Sequence, residues 1–158
     1  LRVYLGRKNS SQSLSPAVQK QLDEEAASGL REVSTYREFS KKVDGLKVSY
    51  IEFLQDVKDN DLKVAGYGAA AKASTLLNYA DISPGLMPMI ADKSPSKIGK
   101  YVPGCRVPIV DVETLVNFGP DVVVIFPWNI KDEVIKELSS RLKSTAKFYK
   151  FVPKITEL

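Results

Sequence analysis

The apolar positions of this chain change their spacing twice. Leu1, Val3 and Leu5 alternate with their neighbours as a half-buried strand does. The run from Gly6 to Ser15 is small and polar and predicts a linker. Ser15 before Pro16 supplies an N-cap and a first helical position, and Gly29 a stop, which bounds a helix over about residues 16–28. Thr35-Tyr-Arg-Glu38 has the form of a capping box. From there Tyr36, Phe39, Val43, Leu46, Tyr50, Phe53 and Val57 recur at steps of three and four, one apolar stripe on a helix ending near Asn60. The stripe fits a coiled-coil seam, but Gly45 weakens such a helix, and Ile51 and Leu54 widen its apolar face, as expected for packing on a sheet.

Beyond residue 61 the pattern becomes short apolar runs separated by amphipathic segments. The runs Leu62–Ala65, Leu86–Ala91, Val107–Val110, Asp121–Phe126 and Lys147–Val152 predict strands, and residues 69–80, 111–118 and 130–143 predict helices. This alternation predicts an α/β fold: a parallel sheet with helices on both faces, preceded by a helical segment, with ligands at the carboxyl ends of the strands. Val122-Val-Val-Ile-Phe126 is apolar on both faces, so it is a central strand, and Pro127-Trp-Asn129 stands at the ligand edge. The expected organisation is the end of a preceding domain and a linker over 1–15, a helical segment packing on the sheet over 16–60, and the α/β core over 61–158.

The first predicted strand runs through Gly66-Tyr-Gly68 into a helix opening Ala69-Ala-Ala-Lys72. Glycines between a strand and a helix let backbone approach a ligand, and the helix beyond offers free N–H groups and a positive dipole end to an anion. The same glycines also serve as ordinary turn chemistry. Lys72, one turn into the helix, lies on the side where a diphosphate would sit or is a solvated surface charge. Ala71-Lys72-Ala73 is not the Gly-Lys-Ser/Thr of a P-loop. Asp92 follows the second strand, where an acid takes ribose hydroxyls in dinucleotide-binding folds or caps the turn Asp92-Lys-Ser-Pro95. Lys93, Lys97, Lys100 and Arg106 surround Gly99-Lys-Tyr-Val-Pro-Gly104, a basic loop suited to a diphosphate. Trp128 is a core plug or a stacking face; Asn129 is read as the N-cap of the next helix, with Asp132 at its third position.

Composition narrows the chemistry. At 158 residues the chain suffices for one domain with a real core. It is 44% hydrophobic and 27% charged, which predicts a soluble domain without a membrane anchor. A net charge of +4 and a pI near 9.1 mildly favour anionic ligands, yet no long basic stripe marks a nucleic-acid binder. The absence of histidine removes Ser-His-Asp and Cys-His relays and most zinc sites from within the chain. Cys105 is the only cysteine, consistent with a reducing cytoplasm. A strand at Leu1 without an initiator methionine or a signal-peptide pattern predicts a segment from the interior of a longer protein.

Three stretches together, Gly66-Tyr-Gly-Ala-Ala-Ala-Lys-Ala-Ser-Thr-Leu-Leu-Asn78, Asp92 to Gly104 with Val107-Pro-Ile109, and Pro120-Asp121 leading to Trp128-Asn-Ile-Lys-Asp-Glu133, resemble the C-terminal domain of S-adenosylmethionine-dependent sugar C-methyltransferases. The resemblance spans about residues 1–153. Ala73, Ile98 and Cys105 depart from the residues usual there. It implies a Rossmann-like domain that helps hold a nucleotide-diphosphate keto-deoxysugar. It also implies a zinc-binding segment and an S-adenosylmethionine-binding domain with the catalytic His and Glu, both preceding this chain. No cofactor and no catalytic residue is then expected here; the preceding methyltransferase domain is an expected partner. Gly66, Gly68, Lys72 and Lys97 would lie near the phosphates, with Tyr67, Asp92, Trp128 and Asn129 lining the pocket. Two other classes stay open: an NAD(P)-binding domain using the same glycines and Asp92, and a non-catalytic assembly module using the 36–57 stripe.

Overall fold

The computed structural model describes residues 2–8 and 13–158. Leu1 of the expected opening strand and residues 9–12 of the expected linker lie outside the described residues. The chain divides into two units, one ending at Lys42 and one running from Val43 to Leu158.

In the first unit, residues 2–7 form no strand, and Val3, Tyr4 and Leu5 are exposed. Alternation alone does not make a strand, because its backbone groups need a neighbouring strand to pair with. Helix α1 (Pro16–Ala27) starts as expected: the Ser15 hydroxyl accepts from the Ala17 N–H at 3.3 Å, Pro16 opens the first turn, and Gly29 takes φ +68° just past the end. Helix α2 (Val33–Asp59) begins before the expected capping box. Thr35 sits inside it because the turn at Gly29–Glu32 already starts the helix, the Thr35 N–H donating to the Glu32 carbonyl at 3.2 Å. The stripe of α2 then divides. Tyr36 and Phe39 are exposed, whereas Tyr50, Leu54 and Val57 are buried in the second unit.

The second unit is built on six strands, β1 (Val64–Tyr67), β2 (Ile90–Ala91), β3 (Ile109–Val110), β4 (Val122–Ile125), β5 (Lys147–Lys150) and β6 (Thr156–Glu157), in the order β3-β2-β1-β4-β5-β6. The first five are parallel, with Gly66 opposite both Ile90 and Val124. Strand β6 adds one antiparallel strand to this parallel sheet, returning along the outer edge of β5. β2 is shorter than expected because Pro88 has no N–H for a ladder and Leu86 and Met87 bond back to the Ser83 carbonyl instead.

Alternation along the central strands sorts the core into two layers. Val64, Val122, Val124 and Phe126 pack with Tyr50, Leu54 and Val57 of α2 and with Ala73 and Leu77 of α3 (Ala71–Tyr79). Ala65, Tyr67, Val123 and Ile125 face Leu115 of α4 (Val112–Phe118) and Val134 and Leu138 of α5 (Lys131–Ser139). The chain therefore leaves β1 toward one face and β4 toward the other. Such a divergence between two adjacent strands is where doubly wound sheets are expected to take ligands, at the strands' carboxyl ends. Tyr50 locks α2 to the sheet: its ring stacks on Phe151 at 4.5 Å and its hydroxyl donates to the Phe151 carbonyl at 2.6 Å. No helix among the described residues is long and apolar enough to cross a membrane.

Candidate functional site at the carboxyl ends of β1 and β4

The two glycines of the first turn do different work. Gly66 lies inside β1, where a Cβ would meet Phe126 at 2.9 Å, Ile90 at 3.0 Å and Met87 at 3.1 Å, so its missing side chain is filled by the core. Gly68 follows the strand with φ +91°, and a Cβ there would come within 2.4 Å of the Pro127 ring. Only glycine lets the β1 and β4 turns approach this closely. Gly68 alone thus draws the β1 and β4 turns together.

Across that approach Lys72, Trp128 and Asn129 meet. Lys72 stands in the first turn of α3, whose N-cap residue Ala70 offers no side-chain acceptor. Its ammonium donates to Asn129 Oδ1 at 2.6 Å and sits 4.0 Å from the centroid of the Trp128 ring. Asn129 is therefore not the N-cap of α5. Trp128–Ile130 form a 3-10 turn, Ile130 takes the cap position, and the Asn129 amide turns toward Lys72 instead. None of the ion pairs among the described residues includes Lys72. A half-buried ammonium rests on neutral partners alone at the positive end of a helix, a position that favours an anion.

The loop after β2 is the opposite case. Asp92 is buried, its Oδ1 accepts from the Ser94 N–H at 2.8 Å, and its Oδ2 holds the Lys97 ammonium at 3.1 Å. Asp92 therefore caps its own turn, and Lys97 neutralises it. Next to it Lys93 pairs with Glu137 at 2.7 Å, and the same carboxylate accepts from the Tyr67 hydroxyl at 3.5 Å. Burial first and the Glu137 charge second push the Tyr67 hydroxyl above its ordinary range, and the bond to Glu137 raises Lys93. Tyr67 is thus buried against α5, on the face of the sheet away from α3. Sequence reading missed Glu137; the available signal was an acid between Val134 and Leu138 on the buried face of α5.

The basic loop does not gather at one place. Gly99 and Lys100 exchange backbone bonds with Ile109, Tyr101 pairs antiparallel with Pro108, and Val102 donates to the Val107 carbonyl. The segment thus runs back along β3 to the amino edge of the sheet. Gly104 there abuts Asn78 at the far end of α3, and Asn78 donates to the Pro103 carbonyl at 2.8 Å. Topology accordingly carries Arg106 to the edge opposite Gly68, while Lys93 and Lys97 stay beside β2. No group of three metal-ligating side chains occurs among the described residues.

Sheet order and helices on both faces define a doubly wound α/β domain, and the comparisons supply its family. Residues 1–153 match the family described as the C-methyltransferase C-terminal domain, and the chain belongs to that family. It is 30% identical over 151 residues to the C-methyltransferase NovU of Streptomyces niveus, a match that takes in 96% of this chain and 36% of that protein. The chain thus spans about a third of the length of that curated relative.

Proposed function

We propose that this chain is the substrate-holding domain of an S-adenosylmethionine-dependent C-methyltransferase acting on a nucleotide-diphosphate keto-deoxysugar in the cytoplasm. Family membership and the relative's printed name support the methyl-transfer reaction. A base elsewhere in the enzyme takes the proton beside the ketone. S-adenosylmethionine, held elsewhere in the enzyme, would supply the methyl group that the enolate carbon takes, leaving S-adenosylhomocysteine. S-adenosylmethionine, the catalytic base and any zinc belong to other parts of the enzyme, including a preceding methyltransferase domain. This domain contributes position, which lowers the barrier by holding the reacting carbon in place.

The observation that carries the reading is the Lys72 ammonium held by Asn129 and Trp128, with no carboxylate partner among the described residues, at the carboxyl ends of β1 and β4. A diphosphate would supply the missing negative charge, and the indole offers a flat apolar face to a base or sugar. Gly68 brings the two turns together around it. The NAD(P) reading is less well supported, because Asp92, the acid it would need for ribose hydroxyls, is taken up by Ser94 and Lys97. An assembly module is a second reading, favoured by exposed Val33, Tyr36 and Phe39; it expects association that grows with protein concentration.

Amide resonances followed during parallel titration with a deoxythymidine diphosphate sugar, NAD and S-adenosylmethionine test the proposal. Shifts at Gly68, Lys72 and Asn129 with the sugar nucleotide alone are expected. Shifts at the same positions with NAD alone would overturn it.

A further inference from the structure

We infer that Lys72 covers the Trp128 ring until a diphosphate draws it away, so that phosphate recognition uncovers the surface on which the ligand's base stacks. The inference rests on the substrate-holding reading above and concerns how that site is gated. Three observations carry it. The ammonium lies 4.0 Å from the indole centroid, within contact of the ring face. Its hydrogen bond goes to the neutral carbonyl of Asn129 at 2.6 Å, and ion pairing among the described residues leaves it out. The neighbouring lysines Lys93 and Lys97 are by contrast tied to Glu137 and Asp92.

A cation over an aromatic face is a weak restraint, and a charge-assisted bond to a phosphate oxygen is stronger. The ammonium carries three N–H donors on a flexible stem, so it can turn from the ring to a phosphate without moving α3. Once it turns, the ring loses its cation and presents an apolar face. The two halves of a nucleotide are then bound in a coupled way: the phosphates open the site that the base fills. A nucleoside without phosphates meets a ring that is still covered, and inorganic pyrophosphate alone suffices to uncover it.

Trp128 is the only tryptophan of the chain, so its emission and its indole N–H resonance report on this exchange directly. The experiment titrates the protein and its Lys72→Met variant with pyrophosphate, thymidine and thymidine diphosphate, reading Trp128 emission and indole resonance, with calorimetry in parallel. Pyrophosphate is expected to shift both Trp128 signals in the parent and neither in the variant. Thymidine diphosphate is expected to bind the parent at least about tenfold more tightly than the variant, as loss of a charged hydrogen bond implies. Calorimetric binding of thymidine diphosphate with unmoved Trp128 signals would overturn the exchange and leave the substrate-holding reading intact. Absence of calorimetric binding by any phosphate-bearing ligand would overturn both.

Discussion

Two clusters flank the carboxyl edge of this sheet, and they treat their charges differently. After β2, Asp92 closes on Ser94 and Lys97, and Lys93 closes on Glu137 of α5, which also accepts from Tyr67. Between β1 and β4, Lys72 faces an amide oxygen and an indole ring. A closed set of pairs fixes a loop, because removing one partner leaves the other uncompensated. A cation without a counter-charge fixes nothing as firmly and leaves room for an anion. In a fold where dinucleotides are ordinarily recognised by the acid after β2, that contrast moves the expected anchor across β1 to the Lys72 side.

Gly68 holds the two sides in register, and replacing it breaks the comparison most severely. Gly68→Ala forces a side chain into φ +91° and against Pro127, and about 3 kcal/mol of stability is expected to be lost in urea unfolding, summing backbone strain and overpacking. On the open side, Trp128→Ala is expected to weaken binding of a nucleotide sugar by about 2 kcal/mol, the scale of stacking on one aromatic ring; calorimetry measures it, and Trp128→Phe should recover part. On the closed side, Asp92→Ala is expected to cost about 1 kcal/mol of stability, by urea unfolding, because the Ser94 N–H loses its acceptor and Lys97 its partner.

Paired carboxylates elsewhere sharpen the same distinction through pH. Asp121 is held below its ordinary 3.8 by its bond to Lys143 and by the Lys63 N–H at 2.8 Å, and Asp111 by the Thr114 N–H. Glu157 is lowered by Tyr149 and Lys147. A depressed carboxylate contributes stability above its unfolded pKa and loses it as pH falls through the folded one. Urea midpoints are therefore expected to fall as pH drops below about 5, where unfolded carboxylates begin to take up protons. Asp121→Asn should flatten part of that slope and Lys72→Met should leave it unchanged.

Much of the fold was legible because its signals are local. Val122–Ile125 are buried on both faces and read as an unbroken β-branched run. Ser15, Pro16 and Gly29 bound α1 by capping chemistry that acts over a few residues. Lys72, Trp128 and Asn129 stand out in the sequence, but the contacts among them do not. Sheet order brings Lys72 to Asn129 across more than fifty positions, and nothing local in Trp128-Asn-Ile-Lys131 says that the asparagine faces a lysine rather than caps a helix. For the same reason the Gly99–Gly104 loop read as one basic patch, although pairing with β3 carries its far end to the other edge. Gly66 carried a glycine's ligand signal while its space belongs to Phe126, Ile90 and Met87. Strand β6 went unseen because two residues at a sheet edge leave no periodic trace.

The expected anchor for the ligand is Lys72 and not Asp92. Calorimetric affinity for a deoxythymidine diphosphate sugar, measured side by side on Lys72→Met and Asp92→Ala, tests it most directly. A loss of about 2 kcal/mol is expected for the first, the worth of a charged hydrogen bond, and a change within about 0.5 kcal/mol for the second. A large loss on Asp92→Ala with Lys72→Met unaffected would contradict it and return the site to the acid after β2.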